Sequence, residues 1–160
     1  MKQRMSHALL LALAVWLNGQ DAQAEPCVDV SQLAGFIEAQ TDYTDLPRCL
    51  VLQRFSIAPV GGLMMSQAGA YDPGTGQIGL ARDLDLNSIL GQSYLLHELV
   101  HYAQFHSSAA AQVRCPAELE AQAYALQAQY LRTHHEADEA VLITVMSGPL
   151  SICGQDSAAY

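Results

Sequence analysis

Tyr94-Leu95-Leu96-His97-Glu98-Leu99-Val100-His101-Tyr102-Ala103 reads as an apolar helix interrupted by two histidines and a glutamate. The remaining positions are apolar, so the helix is expected to be buried. Residues four apart lie one above the other on a helix, which turns His97 and His101 the same way. Two imidazoles placed like that can hold one Zn²⁺ at about 2.0–2.1 Å each. Glu98 then stands beside a metal-held water and can take its proton, the chemistry of the H-E-x-x-H pattern. Buried polar groups without partners cost roughly several kcal/mol each, and a metal would supply the partner. The expectation is a zinc-dependent hydrolase.

A catalytic zinc site usually takes three protein ligands and leaves one position for water. The pattern H-E-x-x-H-x-x-G-x-x-H is excluded, because Gln104 and Ser107 occupy its glycine and third histidine. His106 follows His101 by five residues, about 140° around the helix, and is expected at the surface. A carboxylate from the next helix remains, with Glu118 and Glu120 as the candidates. If Glu118 is set at 0° and each residue adds about 100°, Leu126, Leu119 and Tyr130 fall at about 80–120° and Leu131 and Tyr124 at about 220–240°. Gln129, Gln122 and Arg132 surround Glu118, whereas Glu120, at about 200°, lies in the apolar sector. A carboxylate pointing into a core needs a counter-charge, which favours Glu120 over Glu118.

With HELVH followed some twenty residues later by a helical glutamate, the chain resembles the gluzincin branch of the zincin-like metallopeptidases over residues 70–131. HELVHYAQ together with the E-x-x-A-Y of Glu120 to Tyr124 also looks like small secreted bacterial zincin-like proteins. The resemblance implies an α+β fold. It would be a zincin-like minimal domain with a small sheet or hairpin packed on the zinc-binding helix and on a second, glutamate-bearing helix. It implies a metallopeptidase acting on a peptide or protein substrate, with His97, His101 and Glu120 holding zinc and Glu98 as general base. Gluzincins often follow the glutamate with an aspartate four residues on that orients the first histidine. Here that place belongs to Tyr124, expected to hydrogen-bond the distal ring nitrogen of a ligating histidine. Tyr71, Tyr94, Tyr102, His134 and His135 remain open as the donor to a developing oxyanion. The alternative is a non-catalytic exported binding or assembly protein stabilised by zinc. A base beside the metal would be of no use to it.

The start of the chain reads as a signal peptide, residues 1–24. Lys2 and Arg4 precede an apolar run over residues 8–17, and Ala22-Gln23-Ala24 is a cleavage site. The run is too short to span a bilayer. The product would be a single domain, residues 25–160, periplasmic or secreted and not inserted in a membrane. Cys27, Cys49, Cys115 and Cys153 all follow the cleavage site, an even count that implies two disulfides. Of three connectivities, Cys27–Cys49 and Cys115–Cys153 are favoured. Residues 25–160 hold five arginines, no lysine and fifteen acidic residues, 5 − 15 = −10. That balance argues against nucleic acid and against anionic membrane surfaces, both of which need a basic patch.

Periodicity predicts a helix over residues 28–40, capped by Asp29 or Ser31, and a strand over 48–57. A glycine-containing loop follows at 59–65. Asp72-Pro73-Gly74-Thr75-Gly76 marks the turn of a hairpin over 69–81. Its strand 77–81 is the expected edge beside the site, where Gly74, Gly76 and Gly79 would let a peptide backbone approach. The decisive helix is expected to start at Asp85 or Asn87 and run to about Phe105. A helix over 115–132 follows, with Pro116 in its first turn, and a last one over 137–146.

Overall fold

Ser88 opens the decisive helix. Its Oγ accepts the Gly91 N–H at 3.0 Å, satisfying an amide that a helix start otherwise leaves without a partner. The expected caps do other work. Asp85 accepts the backbone and side-chain N–H groups of Asn87 and offers its carbonyl to the Ser88 hydroxyl. That carbonyl lies so close to Gly91 that a Cβ there would overlap it.

The computed structural model describes residues 27–56, 68–149 and 152–153. Strand β1 (Val28–Asp29) leads into α1 (Ser31–Gln40), followed by β2 (Cys49–Leu50) and β3 (Gln53–Phe55). Strands β4 (Gly69–Asp72) and β5 (Gln77–Ala81) precede α2 (Ile89–His106). A short 3-10 turn (Ala109–Ala111) joins it to α3 (Pro116–Thr133), and α4 (Ala137–Ser147) completes an α+β fold. The expected signal peptide and the 59–65 loop lie outside the described residues.

The sequence reading merged two pairs of elements that the fold keeps apart. Val28 and Asp29 are paired strand, antiparallel to β2, and the helix starts only at Ser31. The single strand expected over 48–57 is interrupted at Val51 and Leu52. Cys49 is tied to Cys27 and to β1, whereas Gln53 onward runs parallel to β5 in another sheet. Alternation in one segment cannot reveal that its halves have different partners.

The hairpin forms as expected. Asp72 accepts the Gly74 N–H and the Thr75 hydroxyl, each at 2.8 Å, and Gly76 takes φ +71°. The strand order is β3-β5-β4, which puts β5 in the centre and β4 at an edge. The expectation that residues 77–81 supply the open edge is therefore corrected: β5 is hydrogen-bonded on both sides.

Helix α2 runs through the middle of the fold. Seven successive residues, Leu95 to His101, are buried, so it is enclosed on all sides. Leu96, Leu99 and Val100 share the main core with Ile37 of α1 and with Ile78 and Leu80 of β5. The disulfides are Cys27–Cys49 and Cys115–Cys153, the favoured pairing, with Cα atoms 5.5 and 5.9 Å apart. Loop closure over these spans stabilises by about 3–4 kcal/mol each in the chain-entropy account. Among the described residues no helix is long and apolar enough to cross a membrane.

Candidate metal centre

His97 and His101 emerge from α2 one turn apart, and α3 crosses opposite them. His97 Nε2 lies 3.1 Å from His101 Nε2. Glu120 of α3 places Oε2 3.3 Å from His97 Nε2 and Oε1 3.3 Å from His101 Nε2. These atoms form a cluster that can hold a metal ion. The structure thus brings together three of the residues singled out in the sequence and leaves Glu118 outside. Glu118 turns to solvent, where it accepts the Arg114 backbone N–H and pairs with its guanidinium. The two carboxylates thus lie on the different faces of α3 that their helical phase gives them.

The hydrogen bonds behind the histidines determine which ring nitrogens carry protons. Gln104 donates its amide N–H groups to the Leu119 carbonyl at 3.0 Å and to Gln122 Oε1 at 2.9 Å. Its Oε1 therefore faces His101 Nδ1, at 2.8 Å, and that nitrogen must be the donor. The same holds for His97. Ser93 gives its hydroxyl proton to the Leu90 carbonyl, so its oxygen accepts from Gln127 Nε2. Gln127 Oε1 then accepts from His97 Nδ1 at 3.2 Å. Both imidazoles are held with bare Nε2 lone pairs aimed at one spot, next to a carboxylate.

Two imidazole nitrogens and a carboxylate turned to one spot make a donor set for a cation. Imidazole nitrogen and carboxylate oxygen are both ligands that Zn²⁺ takes, and one such atom from each of the three residues lies within 4.8 Å of the others. Burial opposes charge on His101, yet the Glu120 carboxylate outweighs it and raises the proton affinity of the ring. The donor set fits Zn²⁺.

Glu98 projects from the next face of α2, about 100° around from His97. Burial pushes its pKa up, opposed by the two neighbouring imidazoles. The Tyr71 backbone N–H of β4 donates to its carboxylate. Gly69, two residues earlier, makes room, since a Cβ there would stand 2.6 Å from Glu98 Oε1. Ala81 N–H donates to the Ala68 carbonyl, and antiparallel pairing alternates from there. The backbone groups of Gly69 and Tyr71 are thereby turned outward, toward Glu98. Gly69, rather than Gly74, Gly76 or Gly79, is the glycine whose missing side chain the site uses.

Tyr124 does not take the role expected of it, because Gln127 already holds the distal nitrogen of His97. Tyr124 instead lays its ring against His97, centroids 4.4 Å apart. Its hydroxyl is pushed up to about 12 by burial and by the charges of Glu120 and Glu98, so it stays protonated. His106 is exposed, as expected, and stacks on Tyr102. His134 and His135 follow the far end of α3, about 20 Å along the helix from Glu120, and drop out as oxyanion donors.

Sequence reasoning missed Gln104, Gln127, Ser93 and Gly69. One of them had a signal. The phase that selected Glu120 at about 200° puts Gln127 at about 180°, a second polar residue in the apolar sector of α3. No curated protein and no solved structure matches the chain. A family model matches residues 3–148, and the chain belongs to that family, described as a domain of unknown function (DUF6647).

Proposed function

We propose that this protein is an exported zinc-dependent hydrolase, a metallopeptidase of zincin-like type acting on peptide or protein substrates. The observation that carries the proposal is the pair of Nε2 lone pairs converging on the Glu120 carboxylate, with Glu98 buried on the next face of the same helix. Zinc held by His97, His101 and Glu120 would supply a Lewis acid that polarises a carbonyl and makes water nucleophilic near neutral pH.

The chain's own residues would do the rest. Glu98 takes a proton from the attacking water at its carboxylate and returns it to the leaving amine. Tyr71 N–H keeps that carboxylate in place, and Gly69 leaves it room. The outward Gly69 N–H, Gly69 C=O and Tyr71 C=O can pair with an extended peptide as an added strand. Two disulfides and the signal-peptide pattern at residues 1–24 support export, to the periplasm or the medium.

Metal content tests this reading, measured by mass spectrometry on wild type, His101→Ala and Glu98→Gln purified without chelator. About one zinc per chain in wild type and Glu98→Gln, lost in His101→Ala, is expected. Peptide hydrolysis by wild type should fall at least about 100-fold in Glu98→Gln. No zinc, and none taken up on addition, would overturn the reading. Zinc without hydrolysis would favour a non-catalytic binding or assembly protein stabilised by the metal.

A further inference from the structure

Helix α2 carries a second stripe beside the histidines. Glu98, Tyr102 and Phe105 recur at i, i+4 and i+7, about 100° around from His97, His101 and Gln104. This stripe faces β4. Tyr71 meets Tyr102 edge-on, centroids 6.2 Å apart, and lies tilted against Phe105 at 5.6 Å. Behind them the His106 ring stacks on Tyr102 at 3.8 Å. Tyr71 and Tyr102 are partly buried against the main core, whereas Phe105 is 43% exposed. The rings form a shelf that runs from the core to the surface.

Its position is specific. Tyr71 supplies the N–H that holds Glu98, and Tyr102 directly follows His101. Cross-strand partners of Gly69 and Tyr71 are Leu80 and Ile78, both buried, so these two β4 residues share the face toward α2. A strand added at the outer edge of β4 would direct alternate side chains to that same face. There, beyond the Glu98 carboxylate that fills the space beside Gly69, they would meet the shelf.

We infer that Tyr71, Tyr102 and Phe105 form a subsite that selects a large apolar or aromatic side chain in an extended peptide laid along β4. The inference rests on the hydrolase reading for its substrate class. Aromatic rings in edge or offset contact with another ring gain more than the buried area alone provides.

Binding separates the two ideas, because it needs no turnover. A set of blocked hexa-alanine peptides, each with one Phe at one of the six positions, is titrated by calorimetry into zinc-loaded, full-length Glu98→Gln. At one position Phe should bind about tenfold or more tighter than the all-alanine peptide, an advantage of the size one filled apolar pocket provides. Phe105→Ala in the same background should reduce that ratio to less than about threefold. Phe105 is exposed, so the truncation leaves the core intact, and unchanged metal content would show that the site persists. No position preferring Phe, a Lys series binding tighter than the Phe series, or a ratio unmoved by Phe105→Ala would each overturn the subsite. Peptides that bind in this pattern but are not cut by wild type would instead sink the hydrolase reading and leave the subsite standing.

Discussion

Helix α3 packs along both α2 and α4, and only its seam with α2 carries a buried polar layer. Against α4 it buries Ala128 and Leu131 on Ala140 and Ile143. Against α2 it buries Ala123 and Leu126 in the main core and, beside them, Gln127 with Ser93 and Gln104, all three wholly buried, and turns Glu120 toward His97 and His101. The apolar seam stabilises by removing surface from water, about 25 cal/mol for each Å². The polar layer has no such advantage, since a satisfied buried polar network at best matches an apolar core of the same shape. One helix therefore divides its work. The α4 side buries an apolar cluster, and the α2 side adds to its apolar packing a polar cluster that could hold a metal ion.

The comparison can be broken from either side. The largest expected effect is on the metal. Glu120→Ala should weaken zinc binding by more than about 100-fold, beyond what loss of a supporting hydrogen bond alone causes. Glu118→Ala, two residues away and ion-paired with Arg114, should leave it unchanged. Competition titration against a chromophoric chelator reads both, and equal effects would remove Glu120 from the site. In the apolar seam, Leu131→Ala should cost about 2–5 kcal/mol by chemical denaturation of the metal-free chain, with zinc affinity preserved.

Gln127→Leu should do the converse. It removes the acceptor that holds His97 Nδ1, so zinc affinity should drop about 10–100-fold while stability changes less than in Leu131→Ala. A stability loss matching that of Leu131→Ala, with zinc affinity intact, would mean that the two seams do the same work. The smallest change in composition is Gly69→Ala. Its Cβ would displace the Glu98 carboxylate, so zinc content should stay at the wild-type level while peptide hydrolysis falls about tenfold or more, toward the loss in Glu98→Gln. Unaltered turnover would show that Glu98 does not need the place it occupies.

Much of the site was legible before any fold was known, and for one reason. His97, Glu98 and His101 share a helical turn, so their relative placement follows from helix geometry. Glu120 was legible for a related reason: its phase on α3 set it among leucines, where a lone carboxylate needs a cation. Gln104 and Gln127 were not, since glutamine has no chemistry that announces a role until its neighbours are known. The proton positions follow from what their amide groups meet, Leu119 O and Gln122 on one side and Ser93 on the other. Tyr124 was given the wrong task because spacing places a side chain on a face without saying which atom gets there first.

Local pattern determined the elements that are periodic within themselves: the hairpin with its Asp72-to-Gly76 turn and helices α2, α3 and α4. Tertiary structure decided what depends on partners distant in the chain. It divided residues 48–56 between two sheets, put β4 rather than β5 at the edge of the sheet among the described residues, and set Gly69 against Glu98. The physical reason is that dihedral preference and hydrophobic period act within a few residues. Strand order, close approach and the satisfaction of buried polar groups are settled only when segments far apart in sequence compete for the same space.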